Sequence, residues 1–125
     1  MPRLCWLWPA LSPWLTSRVA DSELDALQIE YLRLTRERLP TLAAAAGDWP
    51  IRFDHCFMRV VLDHVFGGPW HATLDRKKGP AFRQLTAAQL REAISIARQI
   101  EAGGRETLVP MNRRSLRWRG KLDER

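Results

Sequence analysis

The segment from Asp54 to about Phe66, DHCFMRVVLDHVF, constrains the fold of this chain more than any other. At roughly 100° per residue, with Asp54 at zero, His55, Arg59 and Asp63 fall near 100°, 140° and 180°. They form one narrow polar stripe at i, i+4 and i+8. Most of the remaining circumference is apolar, carried by Phe57, Val60, Val61, Leu62, Val65 and Phe66. A helix that is apolar on most sides is buried on most sides, so other elements must surround it. Its polar stripe is then either paired internally or lines a cleft, because buried polar groups need partners.

The surrounding segments also read as helices. Asp21 or Ser22 is expected to cap a first helix, with Glu23 and Asp25 in its positive first turn. Leu24, Leu27, Tyr31 and Leu34 follow at helical spacing. Pro40 interrupts, Thr41 to Ala46 restart the helix until Gly47, and Asp48-Trp49-Pro50 makes a turn. Gly67-Gly68-Pro69 ends the second helix, and residues 70–80 look irregular, with a solvated run from Asp75 to Lys78. Thr86 and Gln89 make a capping-box pair for a third helix. Its buried stripe is Leu90, Ala93, Ile94, Ala97 and Ile100, closed by Gly103-Gly104. A last helix spans about Arg105 to Trp118, with Pro110 either kinking it or delaying its start.

Strand-like alternation and internal repeats are absent. The expected fold is therefore all-α, a small compact bundle of about four helices with no sheet. A length of 125 residues suits one domain, and is too short for a barrel enzyme of about 250 residues.

Residues 1–19 stand apart as an apolar, Trp-rich leader. Pro9 and Pro13 are expected to break any helix there, and no signal-peptide cleavage pattern follows. The leader is either a hydrophobic arm packed on the domain or an upstream extension from a misassigned start. The helical pattern begins abruptly after Val19, which favours the second and sets the domain at residues 20–121. Cys5 and Cys56 make neither a disulfide framework nor a zinc spacing, and fit a reducing cytoplasm.

The net charge of +6 is unevenly distributed. Residues 21–50 are net acidic, whereas Arg113, Arg114, Arg117, Arg119 and Lys121 lie within a stretch free of acids. Such a segment suits phosphates, and Trp118 within it offers an aromatic surface for a base. Against this stands an internal pairing, in which Leu108, Met111, Ser115 and Trp118 dock on the core. The arginines then stay solvated or meet the acids of residues 21–37.

The stripe on the second helix has its own two readings. In one, His55 exchanges protons or Arg59 grips an anion, with Asp63 beside them in a cleft. In the other, Arg59 and Asp63 form an i,i+4 salt bridge that fixes the helix to its neighbours. His64 falls on the apolar face as a core histidine, and neither it nor His71 completes a metal site. Phosphate loops, serine elbows and HExxH motifs do not occur.

The words Arg52-Phe53-Asp54-His55-Cys56-Phe57, Phe66-Gly67-Gly68-Pro69-Trp70 and Asn112 to Lys121 resemble a family of small, mostly proteobacterial proteins. Members of that family are often labelled as related to GNAT-type N-acetyltransferases, and the resemblance covers about residues 24–121. It implies acetyl transfer from acetyl-CoA to an amine, with His55 or Asp63 as general base. The acetyltransferase fold is a mixed sheet with a Q/R-x-x-G-x-G/A pyrophosphate loop. This chain carries neither, so the resemblance assigns no cofactor-binding residue. The residues themselves point first to a cytoplasmic helical module that binds an anionic partner, nucleic acid foremost, through the C-terminal segment. A small acetyl-CoA enzyme and a protein-docking helper are the alternatives.

Overall fold

A computed structural model describes residues 13–121, with side chains from residue 21 onward. Every regular element among them is helical. Helix α1 (Pro13–Arg33) continues through a π-helical turn (Leu34–Arg38) into α2 (Leu39–Ala46). Then come α3 (Asp54–Phe66), a short α4 (Ala81–Gln84), α5 (Ala87–Gly103) and α6 (Arg105–Trp118). Single 3-10 turns at Trp70–Ala72 and Arg76–Lys78 punctuate the connection from α3 to α4. The all-α bundle expected from the periodicity is what forms.

Two helix boundaries differ from expectation, and proline explains both. The first helix, Pro13–Arg33, is already formed before the start expected at Asp21 or Ser22. Asp21 and Ser22 lie inside it and do not cap it. Proline suits the first helical position, where its missing N–H would be unpaired anyway and its φ is already helical. Residues 1–12, including Cys5 and most of the expected leader, lie outside the described residues. Pro40 does not interrupt the chain either. The turn before it widens, and the Leu39 N–H reaches the Leu34 carbonyl in an i→i+5 bond. Such a π turn takes up the misfit between the proline and the preceding carbonyls, so the helix continues to Gly47. The Thr35 hydroxyl, itself buried, donates to the Tyr31 carbonyl at 2.9 Å in the same region.

Helix α3 is enclosed as its apolar circumference requires. It packs against α5, α6, α2 and the π turn, and Phe57, Val60, Val61 and Leu62 are fully buried. Each such side chain contributes about 1.5–3 kcal/mol relative to exposure. The α5 stripe from Leu90 to Ile100 is buried opposite it. Both bonds of the capping box form, with Thr86 N–H to Gln89 at 2.9 Å and Gln89 N–H to Thr86 at 3.1 Å. Helix α6 starts at Arg105 with Pro110 inside, and docks through Leu108, Met111, Asn112 and Ser115.

The acids of α1 face α5. Glu23 pairs with Arg91, and Glu30 meets Arg33 at 2.7 Å and Arg98 at 3.3 Å. These two acids thus find their cations on α5, which lies along α1, and on α1 itself.

Candidate functional site

The polar stripe of α3 separates along its length. Asp63, one turn before the end of the helix, is fully buried. His55, at the opposite end, has a side chain 77% exposed and stacks on Phe53, with ring centroids 5.9 Å apart and planes at 4°. The three residues do not share a cleft, because His55 sits in the first turn, beyond the helices that cover the middle. Arg59 and Asp63 do not form the expected i,i+4 salt bridge; Ser115 of α6 stands between them.

That serine joins two halves of one network. Arg59 donates through Nη1 to Ser115 Oγ at 2.8 Å and through Nη2 to Asn112 Oδ1 at 2.7 Å. The Ser115 hydroxyl donates in turn to Asp63 Oδ2 at 2.6 Å. Arg119 grips the same carboxylate with two bonds, Nε to Oδ2 at 2.7 Å and Nη2 to Oδ1 at 2.9 Å. The Trp70 backbone N–H completes the set at 2.9 Å from Oδ1. Four donors on one buried carboxylate satisfy both oxygens, and a bidentate guanidinium is the strongest partner available.

The local sequence accounts for this geometry. Gly67 takes φ 69°, and the Gly68 N–H turns back to the Asp63 carbonyl at 3.1 Å. Pro69 then leads into the 3-10 turn that starts at Trp70, and the Trp70 amide reaches the Asp63 side chain. Asp63 thus ties together the end of α3, the segment after it and the end of α6.

The electrostatics follow from the partners. Burial pushes the Asp63 carboxyl up, but hydrogen bonds from Arg119, Ser115 and Trp70 outweigh it and hold the group below the usual carboxylate range. A carboxylate so strongly held in its ionised form is a poor proton acceptor near neutrality, where a general base works best. His64 is held below the usual histidine range, chiefly by burial, with Arg114 adding to the effect. Its Nδ1 lies 2.7 Å from the Val60 carbonyl, which only accepts, so Nδ1 carries the proton. Its buried Nε2 has no partner. The Tyr31 hydroxyl is likewise buried without a partner, and burial raises that phenol above its usual range.

The C-terminal residues divide between inside and outside. Arg119 turns inward to Asp63, its side chain only 12% exposed. Trp118 is partly buried, its ring set edge-on to His64 with centroids 5.1 Å apart. Arg113, Arg114, Arg117 and Lys121 are exposed. Sequence reasoning missed Asn112 and Ser115 as partners of the stripe. Their signal was present, as polar side chains in register with Leu108 and Met111 on the docking face. The Trp70 amide gave no signal, since a backbone donor has no side-chain identity.

Among the described residues no group of histidines, cysteines and acids is arranged to hold a metal, and no helix is long and apolar enough to cross a membrane. Compared with known proteins, the chain matches no family model, no curated protein and no solved structure.

Proposed function

We propose that this protein is a small cytoplasmic helical module that binds nucleic acid through the outward face of α6. The observation that carries the reading is the division of labour on that helix. Its inner face is clamped by the Asp63 network, while Arg113, Arg117 and Arg114 lie on the exposed outer face within an arc of about 100°. Exposed cations on a rigid element suit phosphates, whose neutralisation releases condensed counterions. Arg119 serves as the positioning residue of this face, because its bonds to Asp63 fix the end of the helix. Trp118 packs against His64, so the contact is weighted towards backbone phosphates and away from base stacking.

The test is fluorescence anisotropy with a labelled single-stranded RNA and a labelled DNA duplex over a range of salt. Wild-type affinity is expected to fall steeply as salt rises. The triple variant R113A/R114A/R117A is expected to lower the slope of log K against log[salt] by about 2, at roughly 0.7 per single-strand phosphate contact. An unchanged affinity in that variant, with its helicity intact, rejects the reading.

A further inference from the structure

The connection after α3 carries a second cationic feature next to the end of α6. A shallow hollow of about 500 Å³ is lined by residues 71–77, among them His71, Thr73, Arg76 and Lys77. Its shape is built. The Lys77 N–H donates to the Asp75 side chain at 2.9 Å, and the Gln84 amide donates to the carbonyls of Asp75 at 2.8 Å and Gly79 at 3.1 Å. The Arg76 guanidinium lies over the Trp70 ring, 5.6 Å from its centroid. The Trp70 amide is bound to Asp63, and Asp63 to Arg119, so the hollow is tied to the C-terminal end of α6 through one carboxylate.

We propose that this hollow, lined by Arg76 and Lys77, is a second phosphate-binding point for the same nucleic acid, so that the strand is held both at α6 and at the segment after α3. The inference rests on the reading of α6 as a nucleic-acid face, and adds to it a place where the strand is held. Two cations, Arg76 and Lys77, line it beside one acid, Asp75, whose carboxylate already accepts the Lys77 N–H. Slight burial together with the charges of Arg76, Arg119 and Lys121 disfavours the His71 imidazolium, against the single opposing charge of Asp63. A phosphate in the hollow would relieve that repulsion. The run from Asp75 to Lys78 marks these cations in the sequence, but their link to the end of α6 through Asp63 is set by the tertiary fold.

The experiment compares R76Q/K77Q, R113A/R114A/R117A and wild type against the same labelled single-stranded RNA, with thermal melts of each. Arg76 also packs on Trp70, so the His71 ring signals of the wild-type protein are followed by NMR during RNA titration as a measurement independent of that substitution. The expected result is that both variants bind more weakly, R76Q/K77Q with a salt slope smaller by about 1. The His71 signals should move, and their titration midpoint should rise when RNA is bound. If the α6 variant loses affinity while R76Q/K77Q binds as wild type and His71 is unmoved, the second contact is overturned and the α6 reading stands. If wild type does not bind, or the α6 variant binds as well as wild type, the α6 reading falls and this inference falls with it.

Discussion

Asp63, itself fully buried, accepts from three side-chain donor atoms of Ser115 in α6 and Arg119 just past its end, and from one backbone amide. Replacing its charge while keeping its shape isolates what that ionisation does. Asp63→Asn leaves the Arg119 guanidinium, which is mostly buried, facing a neutral amide that also presents donors of its own. Loss of one partner from a buried ion pair costs about 3–5 kcal/mol. Urea unfolding of D63N should therefore show a midpoint far below that of wild type, and an unchanged midpoint would contradict the network's structural role. Ser115→Ala should cost less, about 1–3 kcal/mol, since it removes one hydroxyl and leaves both charges close together.

At this scale the sequence was only half legible. The i, i+4, i+8 spacing of His55, Arg59 and Asp63 marked a polar stripe on a buried helix, and that much holds. Which partner each residue takes is a tertiary matter. Arg59 reaches residues 112 and 115, not Asp63 four positions away, because α6 crosses the helix there and offers Ser115 and Asn112. His55 has the same spacing and no such neighbour.

Among the elements, Gly104 carries the sharpest requirement. It ends α5 and precedes α6, with φ 64° and ψ −143°, a region that side-chain-bearing residues rarely enter. A Cβ there would meet only Trp49 at 3.9 Å, an ordinary contact, so the cost is conformational. Gly104→Ala is expected to destabilise by about 1–3 kcal/mol, read as a lowered melting temperature. This glycine was visible beforehand as a helix stop, as was the Thr86–Gln89 capping box, because both signals depend on local backbone chemistry alone. The π turn was not visible. Pro40 reads locally as a break, and only the packing of Tyr31 and Leu34 on one side and Leu39 and Ala43 on the other makes a continued helix worthwhile.

For the molecule as a whole, His64 and Asp63 both shape how stability responds to acid. His64 is held below the ordinary histidine range, so its stabilising contribution is complete above about pH 6.5 and is lost as pH falls towards its lower folded value. The unfolded chain takes up a proton there that the folded chain refuses. Asp63, held below the ordinary carboxylate range, contributes fully above about pH 4 and fails only as pH drops further. Stability should decline in two stages, first as pH falls below about 6.5 and again below about 4. Urea titrations across this range should show His64→Asn flattening the first stage and leaving the second. His71 is exposed and contributes little to the first. A profile unchanged by His64→Asn would remove that assignment.

The separation of Asp63 from its partners bears on the order of events during synthesis. Three of the bonds it accepts wait for two residues, 52 and 56 positions downstream. While the ribosome is still adding α6, α3 holds a carboxylate with nothing to neutralise it, flanked by a helix that is otherwise oily. The nascent chain can coil α3 but cannot seat it, and the surface that α6 later covers stays open to chaperones and proteases until Ser115 and Arg119 have emerged. A fragment ending before residue 115 should therefore behave as an unfinished protein and not as a smaller version of this one.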